Sequence, residues 1–237
     1  MSFQNKIVIV FGGTSGIGLE VYRLLIEDGA KVYMSARSEP QDLENYNFKF
    51  CDVTDLSSCK KVVEDILSIH GSIDIVINSF GCPGLEKIED ISEESWDRVL
   101  DTNLKGVFNV CKSVLPIMKK NRYGKIVNVS SVAGHFRSLS AGAHYSASKA
   151  GVIGFTRQLS LEVIEYNINI NVVCPSQTLT PMLENNLSAD QIKDIERVIP
   201  RKRLASVTEQ ANPILFLCSD AASYMNGAVV DVNGGQF

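Results

Sequence analysis

An α/β fold is what this sequence predicts: a single doubly wound parallel sheet of about seven strands with helices on both faces. Two observations predict it. Short β-branched runs alternate with longer helical patterns along the 237-residue chain, and such alternation demands right-handed crossovers between parallel strands. Glycines, serines and a Tyr–Lys pair then fall just past the strand ends, where sheets of this kind bind their ligands. No Gly/Ser-rich linker, internal repeat or low-complexity segment divides the chain, so residues 1–237 read as one domain.

The elements follow in order. KIVIVF (6–11) reads as a buried strand, and residues 16–28 as a helix ending near Gly29. KVYMSA (31–36) and FKFCDV (48–53) are the second and third strands, followed by a helix over 56–70. IDIVINSF (73–80) is the fourth strand, and 93–121 is a helical pattern interrupted or bent around 101–106. KIVNVSS (125–131) is the fifth strand and leads to a long helix over 145–166. ININVV (168–173) is the sixth strand; residues 188–197 and 208–219 are helical, and AVVDVN (228–233) closes the sheet.

With 45% hydrophobic and 21% charged residues and a net charge of −4, the composition is that of a soluble globular protein. There is no basic stripe with interleaved aromatics, so nucleic acid is not an expected partner. No apolar run approaches the ~18 residues of a membrane helix. The N-terminus has neither the apolar run nor the cleavage site of a secretory leader. The six cysteines are scattered without a C-x-x-C pair, and the three histidines show no ligand spacing. Reduced cysteines, a cytoplasmic location and no metal are therefore expected.

After the first strand comes GGTSGIG. Its glycines let a backbone turn tightly against a pyrophosphate, and the helix that starts there aims free N–H groups at the anion. Gly12, Thr14, Ser15, Gly16, Ile17 and Gly18 are thus candidate cofactor residues, although the same letters also close an ordinary strand–helix corner. The second strand ends at Ala36 and Arg37. An acidic residue there would hold the ribose hydroxyls of NAD, whereas an arginine suits a 2′-phosphate. NADP(H) is therefore the expected cofactor, with NAD(H) as the second choice; the plain reading of Arg37 is a solvated loop residue. Asp52 and Val53 follow the third strand and could meet an adenine; Asn78 and Gly81 follow the fourth and would lie beside a ribose. Either pair could instead be turn chemistry.

Tyr145 and Lys149, in YSASK, share one face of a helix. A free tyrosine, with a pKa near ~10, is a poor proton shuttle at neutral pH. A neighbouring ammonium would lower that value toward the working range. Ser131, fourteen residues earlier, could polarise a substrate carbonyl. Asn103 interrupts a helical pattern and is either a local bend or a polar relay behind the lysine.

Taken together, G-x-x-x-G-x-G at 12–18, D-x-x-x-N-x-x-G at 74–81, N-L-x-G at 103–106, Ser131, Y-x-x-x-K at 145–149 and T-P-M at 180–182 resemble the short-chain dehydrogenase/reductase family over essentially the whole chain. The resemblance implies a Rossmann-type sheet. It implies Tyr145 as general acid, Lys149 as the residue that lowers its pKa and holds the nicotinamide ribose, Ser131 as the carbonyl-orienting group and Asn103 as the holder of a relay water. It also places Pro175 and Thr180 at the nicotinamide end. The pattern is most similar to that of 3-oxoacyl-acyl-carrier-protein reductases. This implies a ketoreductase or alcohol dehydrogenase, an acyl thioester or other small carbonyl substrate, an acyl carrier protein as a candidate partner, and a homotetramer. A non-catalytic cofactor-binding regulator on the same fold is the competing class. Some positions depart from the family. Phe11 stands where it has threonine, NSFG where it reads N-N-A-G, and Ser176 where it has glycine. An apolar contact between Phe11 and Phe80 is expected in place of the family's polar tie. Arg122 matches one of two basic residues facing the carrier protein, and Tyr166 stands at the other.

Overall fold

The computed structural model describes residues 2–40, 46–138 and 141–237. Seven parallel strands form one sheet in the order β3-β2-β1-β4-β5-β6-β7. They are β1 (Ile7–Phe11), β2 (Lys31–Ala36), β3 (Phe48–Phe50), β4 (Ile75–Asn78), β5 (Gly124–Val129), β6 (Ile168–Pro175) and β7 (Val229–Val232). The chain winds outward one way through β2 and β3, then returns to β4 beside β1 and winds out the other way. That reversal opens a crevice beyond the ends of β1 and β4, where Phe11 is in register with Asn78.

Alternation along the strands sorts the core into two layers. Ile7, Ile9 and Phe11 face one cluster, whereas Val8 and Val10 face the other. On the first face α2 (Leu56–His70), α4 (Gly106–Asn121) and α6 (Ala143–Val163) contribute Val62, Ile66, Val110, Val114 and Val152. On the second, α1 (Gly16–Glu27) and α9 (Val207–Cys218) contribute Val21, Leu25, Ile214 and Leu215. Strands covered on both faces explain why β1, β4, β5 and β6 are buried along their whole length. Two of these helices start on side-chain caps: Asp55 Oδ1 accepts from the Ser57 N–H at 2.9 Å at the start of α2, and Ser206 and Glu209 form a capping box on α9.

Two expectations are refined. The third strand stops at Phe50 because Asp52 turns the chain: its Oδ1 accepts from the Thr54 N–H at 2.9 Å and the Thr54 hydroxyl at 2.8 Å. The break expected around 101–106 is one turn of π-helix, Asp101–Lys105, between α3 (Glu93–Leu100) and α4. Such turns often occur at functional sites. Two short helices escaped the sequence reading, α5 (Val132–His135) after β5 and α7 (Pro181–Glu184) after β6. With α8 (Ala189–Val198), α7 forms a flap whose own small core joins Ile195, Ile199 and Leu204 to Leu183, Leu187 and Ile192.

Candidate active site

A cleft of about 240 Å³ opens at the carboxyl edge of the sheet. Its walls come from the loop after β1 (Ser15, Gly16, Ile17), the loop after β4 (Ser79–Leu85), Ser130 and Ser131 after β5, and Tyr145 and Lys149 of α6. Pro175 to Thr178 and Thr180 follow β6, and Met182, Leu183 and Leu187 of the flap close the far side. Residues far apart in sequence thus meet at one place.

At the β1 end the loop is shaped by absent side chains. Gly12 has φ +80°, and a Cβ there would lie 2.6 Å from the Phe80 nitrogen. A Cβ on Gly18 would collide with the Gly12 carbonyl oxygen. Ser15 precedes α1 in extended conformation without a side-chain cap, and the first turn carries no acid. Its N–H groups therefore lack a side-chain cap, as a phosphate site requires. A Cβ on Gly16 would lie 3.3 Å from Thr180 Cγ2, so Thr180 borders this loop. Thr180 also caps α7, accepting from the Leu183 N–H at 3.3 Å. Phe11 and Phe80 both join the first core cluster; the tie between β1 and the segment after β4 is main-chain, with Ser79 N–H donating to Phe11 O at 2.8 Å.

At the other end the site is made of buried side chains. Lys149 is buried, and its Nζ donates to Val129 O at 3.1 Å. Ser130, which the sequence did not single out, donates from Oγ to Lys149 O at 2.8 Å and fixes that turn of α6. Burial brings the Lys149 ammonium down to about 8. Tyr145 behaves differently from expectation. Burial pushes its phenol up, the Ser131 hydroxyl opposes this, and Cys82 adds to the rise. The Lys149 Nζ is turned to Val129 O and lies 5.8 Å from the Tyr145 ring centroid. Ser131 Oγ accepts from the Ala133 N–H at 3.1 Å, so its own proton can be donated, as its effect on the Tyr145 phenol reflects.

Asn103 sits in the π turn, 1% exposed. Its Oδ1 accepts from the Cys82 N–H at 2.7 Å, and its Nδ2 donates to Cys82 O at 3.1 Å and to Ser148 Oγ at 3.0 Å. Both amide protons are spent, so within this side chain only the second lone pair of Oδ1 remains for a water. A Cβ on Gly81 would lie 3.4 Å from that Oδ1 and 3.5 Å from Lys149 Nζ, so both groups face Gly81. Ser148, inside YSASK, links Asn103 to Tyr145 by donating to Tyr145 O at 2.7 Å.

Other candidates lie outside the cleft walls. Arg37 is exposed past the end of β2, and Asp52 and Val53 lie past β3, farther along the same edge. Val53 packs inward, where a Cβ on Gly106 would touch it at 2.9 Å. Asn78 does not offer its side chain to the cleft. It is 1% exposed, and its Nδ2 donates to Asn128 Oδ1 at 2.8 Å within the sheet. Its position at the strand end is as expected, but its side chain serves the interior. Among the described residues no cluster of His, Cys, Asp and Glu could hold a metal ion, and no helix is long and apolar enough to cross a membrane.

Comparison with known proteins agrees with this geometry. A family profile described as "short chain dehydrogenase" matches residues 6–191. A 3-oxoacyl-[acyl-carrier-protein] reductase of Salmonella typhimurium is 37% identical, covering 100% of this chain and 99% of its own. An acetoacetyl-CoA reductase of an Acinetobacter species is 35% identical over 99% of this chain and 98% of its own. A crystal structure of a variant actinorhodin polyketide ketoreductase with NADPH superposes with TM-score 0.91 at 32% identity, covering 100% of this chain and 99% of that one.

Proposed function

The chain belongs to the short-chain dehydrogenase family, and on that premise we propose that it is an NADP(H)-dependent ketoreductase acting on 3-oxoacyl thioesters. The observation that carries this reading is the convergence of Ser131, Tyr145 and Lys149 on a cleft that runs from the capless start of α1 to an apolar flap. The glycine-lined turn fits a dinucleotide, because the spaces a Cβ would fill at Gly12 and Gly18 are already taken by main chain. Ser15, Gly16 and Ile17 would hold its phosphates, Lys149 its ribose and Thr180 its nicotinamide end, with Arg37 exposed where a 2′-phosphate would need a cation. NADPH, when bound, supplies the hydride. The chain's own groups handle the proton and the oxygen. Ser131 donates a hydrogen bond to the substrate oxygen. Tyr145, kept protonated by its burial, delivers the proton to that oxygen. Asn103 holds the Gly81–Cys82 wall in place.

Several features favour a thioester. Met182, Leu183, Leu187, Leu85 and Val132 give the substrate end apolar walls, and the relatives named above include reductases of two thioester types. An acidic carrier protein would meet a small basic cluster. Lys119 Nζ lies 4.7 Å from the centre of the Tyr166 ring, with the Arg122 guanidinium 6.0 Å from it. Tyr166 thus gathers cations where the family supplies one. Exposed Phe108 on α4 and Leu161 on α6 favour a homo-oligomer through those helices, and a monomer mass by light scattering would overturn that. The function is tested by NADPH and NADH oxidation against acetoacetyl thioesters of coenzyme A and of a carrier protein, diketones, cyclic ketones and keto-sugars. Thioester turnover with NADPH, lost in preference over NADH on Arg37→Ala, supports the proposal. Turnover confined to other carbonyls would move the substrate; tight NADPH binding with no turnover anywhere would favour a non-catalytic role.

A further inference from the structure

The residue before the catalytic tyrosine is a histidine that the mechanism does not use. His144 is 0% exposed, and its Nδ1 has no hydrogen-bond partner. Its Nε2 lies 3.3 Å from Glu86 Oε2, at ion-pair distance but not aligned for a hydrogen bond. An enclosed imidazole without hydrogen bonds is costly, and what the site offers in return is close packing and the nearby Glu86 carboxylate. The ring is wedged between two glycines. A Cβ on Gly84 would lie 2.6 Å from its Cε1, and one on Gly142 would lie 2.9 Å from the same atom. Gly142, the residue before α6, donates its N–H to Gly84 O at 2.8 Å. The ring therefore fills the seam between the cleft wall after β4 and the first turn of α6.

Glu86 carries this seam onward. Its Oε2 accepts from the Leu85 N–H at 2.9 Å, and its Oε1 accepts from the Ser95 hydroxyl at 2.9 Å. Arg98 donates to Ser95 Oγ at 3.2 Å and, through its other nitrogen, to Cys82 Sγ at 2.6 Å. Cys82 is the residue whose main chain Asn103 holds. A chain of polar contacts, its first link the 3.3 Å approach of His144 to Glu86 and the rest hydrogen bonds, thus leaves Tyr145's neighbour, crosses α3 and returns to the wall beside Tyr145. Asn103 and Ser148 close the ring back to the Tyr145 carbonyl.

We propose that His144 and Glu86 are positioning residues that lock the cleft wall 81–86 to the first turn of α6, so that Tyr145 and the substrate-facing wall keep a fixed distance. Neither touches substrate. Both act through Tyr145 and Leu85, and the kinetic part of this proposal rests on the ketoreductase reading. Glu86→Gln is the main variant, since Glu86 lies at the surface side of the seam and its change leaves the core intact; His144→Leu is the second. Hydrogen–deuterium exchange of the free protein gives a readout independent of turnover. Glu86→Gln should speed exchange in both 82–86 and 143–149 while leaving β1 and α1 unchanged. In kinetics each variant should lower kcat by about ten- to a hundredfold, the scale of a small misplacement near the reacting centre. KM and NADPH affinity should stay near wild type, and the double variant should be no worse than the worse single one. Unchanged exchange in 143–149, additive losses, or a loss traced only to thermal stability would each overturn the lock. Absence of wild-type turnover would refute the ketoreductase reading alone and leave the exchange result to decide the lock.

Discussion

The two ends of the cleft are built from opposite materials. At the β1 end, glycines bring main chain against main chain: the Gly12 and Gly18 positions are occupied by the backbone of Phe80 and of Gly12 itself. At the α6 end, buried side chains do the work, and burial tunes them, raising Tyr145 and lowering Lys149. The first end offers fixed dipoles whose strength changes little with pH. The second offers titratable groups whose charge depends on exclusion of water. On the proposed function, a binding surface and a reactive surface therefore adjoin without sharing failure modes.

That separation can be broken deliberately. The largest effect belongs to Tyr145→Phe, which removes the proposed proton donor while keeping the ring. Turnover should fall by about a hundred- to ten-thousandfold, while NADPH binding measured by fluorescence stays intact. Equal loss of binding would mean the two ends are not independent. Gly12→Ala attacks the opposite end. It puts a Cβ at φ +80° against the Phe80 backbone, and should cost about 1–3 kcal/mol of stability together with cofactor affinity. A Tm and an NADPH affinity equal to wild type would refute the close approach. The smallest effect sharpens the contrast. Because burial holds Lys149 at about 8, its cation is present below that pH and is lost as pH rises through it. kcat/KM for NADPH reports the free enzyme, so it should fall above pH about 8 in the wild type. A flat profile up to pH 10 would show that the buried amine carries no part of cofactor capture.

Much of this was legible in the chain. Every strand was placed from its apolar run, and the bend at 101–106 became the π turn that holds Asn103. Less legible were residues whose side chains could point either way. Asn78 stands at the right strand end but bonds to Asn128 inside the sheet. Ser130 and Ser148 lay inside quoted motifs, yet their hydrogen bonds to Lys149 O and from Asn103 Nδ2 join segments that are distant in sequence.

The sequence by itself determined the order of the strands and the long helices, the glycine-shaped turn after β1 and the Tyr–Lys pair on one helical face. These are properties of local periodicity, backbone freedom and fixed spacing, which neighbouring residues set. Only the tertiary structure decided that burial pushes the Tyr145 phenol up, that Lys149 turns to Val129 O and that His144 sits sealed against Glu86. Proton affinity and side-chain commitment depend on what surrounds a group, and those surroundings come from parts of the chain far away in sequence.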